Sequence, residues 1–244
     1  MLTFVHSKAS RRVLLASGAL VIASATAWGS AAIAASGAPQ RALLVKVHSR
    51  RTPRVNVHSA RLPLPVPVTV NPSTTAYLVL DLTSAICAPN PSCVATLPAA
   101  AALLAKARAA GSLVVYSETP TPGSKILPQV QPVGNDEPIV YGHADKFYNT
   151  TLNTILSSAG ITTLVVVGTA ANGAVLYTTF EANLRGYTAV VAEDGVSANS
   201  PFIMRYSLFQ LLNQPGFSNP LNTPPPVKGV TLSTSNLITF SPAG

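Results

Sequence analysis

This sequence predicts an α/β protein: a Rossmann-like parallel β-sheet with helices on both faces. Three observations predict it. Short apolar runs alternate with Ala- and Leu-rich helical stretches from residue 75 to residue 240. The runs are continuously apolar, as strands buried on both faces are. Glycines at 111, 160 and 186 close three of the helical stretches, where a helix end favours a left-handed residue.

The elements follow in order. "TAYLVLDL" (75–82) is a strand that ends in an acid, and "VATLPAAAALLAKARAAG" (94–111) is a helix. "SLVVYSE" (112–118) is the next strand, followed by a Pro-rich loop over 119–138. A helix is expected from Thr150 to Ala159, then a strand over 162–168 and a helix over 173–186. "YTAVVAED" (187–194) is a fourth strand, 200–214 a fourth helix and "SNLITF" (235–240) a last strand. There is no internal repeat.

At 244 residues, the chain fits one domain with a leader, and 48% hydrophobic against 10% charged residues supports a large core. The net charge of +8 suggests nucleic acid until it is divided along the chain. Nine basic residues and no acid precede residue 76, whereas from there on seven basic residues face eight acids, a net charge of −1. A nucleic-acid partner is therefore not expected of the domain.

Residues 1–35 read as an export signal: Lys8, Arg11 and Arg12, an apolar stretch over 13–28, then small residues for cleavage near Ala34. "SRRVLL" has the twin-arginine pattern, and an ordinary secretory signal with two chance arginines fits equally. No cysteine directly follows the apolar stretch, so no lipid anchor is expected; the stretch is too short and too rich in Ala and Ser for a firm membrane span, and an uncleaved N-terminal anchor stays open. Residues 36–73 are basic and Pro-containing, a linker or an arm lying on the domain. Residues 74–244 form the domain, in a secreted or periplasmic protein.

Four features can carry chemistry. Asp81 ends the first strand, where α/β sheets place their sites. Lys146, in "GHADKFYNTTL", can hold such a carboxylate ionised and stabilise developing negative charge. His143 is the only histidine after residue 58, so a histidine-based triad would need it. Cys87 and Cys93, in "CAPNPSC", read as a disulfide in an exported chain, and a free reactive Cys87 is the alternative. No cluster has metal-ligand spacing, and no cofactor is expected.

"LVLDLT" with Asp81, "DKFYNTTLNTIL" with Lys146, and "VVVGTAANGAVLYTTFEANLRGYTAVVAEDG" stand in an order and spacing that resemble the isochorismatase-like hydrolases. These are also called cysteine hydrolases and include nicotinamidases and N-carbamoylsarcosine amidase. The resemblance runs from about residue 75 to about residue 215 and implies a three-layer α/β/α fold. Laid on the family's glycine turn, the nucleophilic cysteine falls on Ala174 and the family's threonine on Ala171. The resemblance implies a non-proline cis peptide at Thr169–Ala170, with the amides of Ala170 and Ala174 binding a substrate oxygen beside Thr169 and Asn172. It also makes a homo-oligomer an open state.

The isochorismatases proper also lack that cysteine. They cleave a vinyl ether, for which an Asp acting as general acid suffices. They carry a histidine where this chain has Asn172, and export takes this chain away from chorismate metabolism, which argues against isochorismate itself. Three functions stay open: a hydrolase of a small molecule that needs no cysteine, with Asp81 as acid/base and Lys146 as its charge partner; an inactive relative that binds a small ligand or a protein partner in the same pocket; and an enzyme using the Cys87 thiol.

Overall fold

The computed structural model describes residues 61–224 and 228–242. Six parallel strands form the central sheet in the order β4-β3-β2-β5-β6-β7. They are β2 (Thr75–Leu80), β3 (Leu113–Glu118), β4 (Ile139–Tyr141), β5 (Thr163–Thr169), β6 (Thr188–Ser197) and β7 (Val230–Ser233). The helices are α1 (Pro91–Val94), α2 (Leu97–Ala109), α3 (Leu152–Ser158), α4 (Leu176–Leu184) and α5 (Pro201–Leu212). A separate parallel pair joins β1 (Val68–Val70) to β8 (Ile238–Phe240).

The continuous apolar strands serve both faces at once. Ala76, Leu78 and Leu80 of β2 pack with Leu152, Leu156, Ala182 and Leu211 of α3, α4 and α5. Tyr77 and Val79 point the other way, onto Leu97, Leu103, Leu104 and Ala107 of α2. Every residue of β2 is buried. Each Val or Leu side chain so placed contributes about 1.5–3 kcal/mol, which is why an unbroken apolar run selects an interior strand. Tyr77 also donates its hydroxyl to the Ala100 carbonyl at 2.8 Å, pinning α2 across that face.

Strand order sets the position of the crevice. β3 and β4 lie to one side of β2, whereas β5, β6 and β7 lie to the other. The chain therefore reverses its direction of travel between β2 and β5, and their carboxyl ends flank the switch point where such sheets bind ligands.

Several elements differ from the sequence reading, which placed no strand at β1 or β4. The helix expected over 94–111 begins at Leu97, after the short α1. Pro98 in the first turn of α2 lacks the amide that a helix continuing from 94 would need. The helix expected from 173 starts as a wide turn over 171–175, because Gly173 is non-helical at φ −120° and ψ −111°. The strand expected over 235–240 shortens to β8 and leaves the main sheet to pair with β1. Its place at the sheet edge goes to β7, where the polar Thr231 and Ser233 are buried with hydroxyls bonded to the carbonyls of Thr223 (3.1 Å) and Val66 (2.7 Å).

Residues 61–73 lie against the domain. Val66 donates to Leu232 at 3.2 Å, Asn222 Nδ2 donates to the Leu64 carbonyl at 3.0 Å, and Val68 and Val70 are buried. The expected leader over 1–35 and the arm's residues 36–60 lie outside the described residues.

One ion pair ties α2 to the loop before β4. Arg108 Nε and Nη2 donate to Glu137 Oε1 and Oε2, each at 2.7 Å, and the Val133 amide adds a third bond at 2.9 Å. Burial works against the Glu137 charge, but Arg108 and that amide outweigh it and hold the carboxyl below its ordinary 4.5. A depressed carboxylate stabilises the fold above its ordinary value, and the effect is lost as pH falls through the folded value. Glu137→Gln is expected to cost about 1–2 kcal/mol at pH 7. In urea unfolding, the gap to wild type closes in acid below the folded value; a gap that persists unchanged there would contradict the pairing.

Candidate active site

β2 ends by turning sharply. Asp81 has φ 53°, a left-handed conformation that Asp tolerates better than most residues. Its amide donates to the Ser117 carbonyl of neighbouring β3 at 3.2 Å, and Ser117 Oγ donates to Asp81 Oδ1 at 2.9 Å. The other carboxylate oxygen meets Lys146 Nζ at 2.8 Å. Asp81 is 3% exposed and Lys146 is fully buried.

Lys146 comes from the loop between β4 and α3. Its Nζ also donates to the Gly142 carbonyl at 2.8 Å, and its own amide donates to Thr178 Oγ1 of α4 at 3.1 Å. Gly142 continues the β3–β4 pairing, donating to the Glu118 carbonyl at 3.0 Å. The ammonium is thus held from two sides, by Asp81 at the end of β2 and by the Gly142 carbonyl just beyond β4, while Thr178 of α4 holds the Lys146 backbone. Burial pushes the Asp81 carboxyl up, against the pull of Lys146 and the Ser117 hydrogen bond. Burial also pushes the Lys146 amine down, against the pull of Asp81. A carboxyl raised in this way lies nearer to the pH at which an acid can give up its proton in a reaction.

The 168–175 turn follows β5 directly beside this pair. Gly168 sits in register with Leu80 of β2 and Val196 of β6. Its φ is 133°, and a Cβ there would lie 2.1 Å from the Leu80 carbonyl oxygen, so only glycine fits. The Thr169–Ala170 peptide is cis. The Ala170 carbonyl then accepts from the amides of Gly173 (2.9 Å) and Val175 (3.3 Å), which folds the turn back on itself. Thr169, Ala171 and Ala174 are buried, Ala170 is half-buried and Asn172 faces solvent.

Cys87 and Cys93 are bonded to each other and fully buried, so Cys87 offers no thiol. The loop they close bonds to the far end of β6: Asn90 Nδ2 donates to Asn199 Oδ1 at 2.8 Å and Ser92 Oγ to the Ala198 carbonyl at 2.9 Å. His143 is exposed, three residues from Lys146. Among the described residues, no three His, Cys, Asp or Glu side chains gather closely enough to hold a metal ion.

The structure thus brings together Asp81, Lys146 and the 168–175 turn, and leaves His143 and Asn172 toward solvent. Sequence reasoning missed Ser117, Thr178, the Gly142 carbonyl and Glu118. Glu118 ends β3 and is 6% exposed, its carboxyl pushed up by burial and by the Asp81 charge. The residue types carried no signal for the first three, since a serine in a strand or a carbonyl in a loop acquires a partner only through the fold. Glu118 did carry one, an acid closing an apolar strand as Asp81 does.

Comparison with known proteins agrees with this architecture. The chain is 27% identical over 88 residues to an uncharacterized isochorismatase family protein, YaaI, of Bacillus subtilis (strain 168), covering 36% of this chain and 49% of that one. The chain thus spans about half the length of that curated relative. A cysteine hydrolase from Pseudomonas syringae pv. phaseolicola 1448A superposes with a TM-score of 0.59 at 20% identity, over 72% of this chain and 95% of that one. N-carbamoylsarcosine amidase from Thermoplasma acidophilum gives 0.53 at 24% identity, over 67% and 97%. These two likenesses speak for the fold. The isochorismatase domain profile matches residues 75–218, more than half of the sequence, and on that match the chain belongs to the isochorismatase family.

Proposed function

We propose that this chain is an exported hydrolase of a small molecule that works without a cysteine nucleophile. The observation that carries the reading is a buried acid–lysine pair at the sheet's switch point in a chain with no thiol to spare. Asp81 and Lys146 meet at 2.8 Å. The sequence has two cysteines, and both lie in the disulfide. The position onto which the family's nucleophile falls is Ala174, whose methyl cannot attack a carbonyl.

Asp81 is the acid/base of the reaction. Its raised carboxyl suits protonation of an alkene carbon, as cleavage of a vinyl ether requires. The proton passes from Asp81 to the carbon, water adds to the resulting cation, and the adduct splits into an alcohol and a carbonyl compound. The proton released by the water returns to Asp81. Lys146 stabilises the carboxylate while the proton is away. The amides of Ala170 and Ala174, at the start of the helical turn, bind the substrate oxygen. Relatives of this fold whose names specify amidase or cysteine hydrolase activity support a small-molecule substrate.

The missing nucleophile at Ala174 also supports a second reading, a relative that binds a ligand or partner without cutting it. Turnover by the purified full-length protein, against small amides and isochorismate, separates the two. Wild type is expected to cleave a panel member, and Asp81→Asn to lower the rate on the order of a thousandfold while circular dichroism stays native. If Ala174→Cys alone is active, the natural chain binds rather than cuts.

A further inference from the structure

Two buried acids stand at neighbouring strand ends beside the switch point, and only one has a cation. Leu80 of β2 is in register with Ser117 of β3, so Asp81 and Glu118 are the next residues along two paired strands. The Asp81 amide fits that alignment, donating to the Ser117 carbonyl at 3.2 Å. Paired strands run about 5 Å apart, which sets the spacing of the two backbones. Asp81 is 3% exposed and Glu118 6%.

Lys146 serves Asp81 alone. Its Nζ meets Asp81 Oδ2 and the Gly142 carbonyl, each at 2.8 Å. Among the described residues, Glu118 enters no ion pair. Its neighbour on the other side is Tyr141 of β4, which is exposed. Lys125 and His143, in the loops beyond β3 and β4, are exposed as well. Asp145, half-buried next to Lys146, adds only negative charge. The 168–175 turn and Thr178 of α4 bring no titratable group.

The charge count then has one solution. A buried carboxylate stays ionised where a cation and hydrogen bonds compensate it, and otherwise the group keeps its proton. Asp81 has Lys146 and the Ser117 hydroxyl. For Glu118, burial and the Asp81 charge push the carboxyl up, and only the Ile126 amide pulls it down. Two acids in such unequal surroundings divide the roles of proton holder and ion. The proposed cleavage needs both, because a carboxylate paired with Lys146 has no proton to give and the reaction starts with a proton transfer to carbon.

We propose that Glu118 is the proton reserve of the site: it holds the proton at rest and passes it to Asp81, which delivers it to the substrate. The cycle balances. Glu118 gives its proton to the Asp81 carboxylate, and Asp81 gives it to the alkene carbon. The proton released when water adds returns through Asp81 to Glu118. Glu118 is thus a positioning residue that acts through Asp81, and its role rests on the reading of Asp81 as acid/base.

The test is a carbon-13 NMR titration of the Asp and Glu carboxyls in the full-length protein. Glu118 is expected to lose its proton at a higher pH than Asp81. In Asp81→Asn, the Glu118 midpoint should fall by about one unit, because the neighbouring charge is gone. In Glu118→Gln, the Asp81 midpoint should stay where it is, because Glu118 is already neutral while Asp81 titrates. Glu118 ionising before Asp81, or a Glu118 midpoint unmoved in Asp81→Asn, would overturn the proposal. If Asp81→Asn does not fold, Glu118→Gln decides: an Asp81 midpoint that falls by about one unit there means that Glu118 was the ion. With a substrate that turns over, Glu118→Gln should lower kcat about tenfold or more at unchanged KM, with partial rescue by Glu118→Asp. A wild-type kcat in Glu118→Gln would overturn the supply of protons to Asp81. A silent substrate panel counts against the cleavage reading, whereas the titration still shows which acid holds the proton.

Discussion

Lys146→Met is expected to destabilise the protein by about 3–5 kcal/mol at neutral pH, because it leaves the Asp81 carboxylate buried without its cation. Asp81 can escape that state only by taking up a proton. Burial already holds its carboxyl above the ordinary 3.8, and removing Lys146 raises it further. A group whose folded value is raised favours the fold below its unfolded value and loses that contribution as pH rises through the folded one. The variant should therefore come closest to wild type below about pH 4 and fall furthest behind above the raised folded value. Asp81→Asn has the mirror problem. Lys146 keeps the Gly142 carbonyl but loses its counter-charge, and gains stability as alkali removes its proton. The double variant Asp81→Asn/Lys146→Met carries neither charge and should recover most of the loss, since a buried pair is often replaced by neutral groups at little cost. It should nevertheless stay inactive. Denaturant unfolding of the four proteins between pH 4 and 9 gives the coupling energy directly. A Lys146→Met variant within 1 kcal/mol of wild type across that range would contradict the ion pair.

Gly168→Ala should be the most damaging added methyl among the described glycines. The added carbon would lie 2.1 Å from the Leu80 carbonyl oxygen, and that oxygen belongs to the central strand of the sheet. Neither strand can retreat, because Gly168 is paired to β2 on one side and β6 on the other. The positive φ adds strain of its own. A cost of about 4 kcal/mol or more is expected, with a fall in Tm on the order of 10 °C. The control is Gly123→Ala. Its φ of 76° is also positive, but nothing lies within 4 Å, so only the backbone penalty of about 1–2 kcal/mol applies. Equal melting temperatures for the two variants would mean that β2 and β5 approach less closely than described.

Much of the site was readable in the sequence because its parts sit on strong local signals. An acid closing a six-residue apolar strand marked Asp81. A glycine between a β-branched run and a helix marked the turn at 168. Lys146 had no such signal of its own, and only the resemblance of "DKFYNTTLNTIL" to the isochorismatase-like hydrolases set it apart from other lysines. Other parts had no local signal. Ser117 reads as one more strand residue until β3 pairs with β2 and brings its hydroxyl to 2.9 Å from Asp81. Thr178 reads as a helix residue until the loop before α3 lays the Lys146 amide on it. β7 was passed over because two of its four residues are polar, and their partners come from 66 and 223.

The sequence by itself determined the interior strands β2, β3, β5 and β6, because a run apolar at every position can be satisfied only between two layers. It also placed Asp81 at a strand end. The tertiary structure decided which strands are neighbours, and so which strand ends share a crevice. It paired β8 with β1 outside the main sheet, left Asn172 in solvent, closed the disulfide loop onto the end of β6, and buried the Gln214 amide without a partner. The physical reason is one of range. Hydrophobic period and turn chemistry act over a few residues and are written in the chain. A hydrogen bond or ion pair between residues 36 to 167 positions apart depends on the register of whole elements, which is fixed only when they pack.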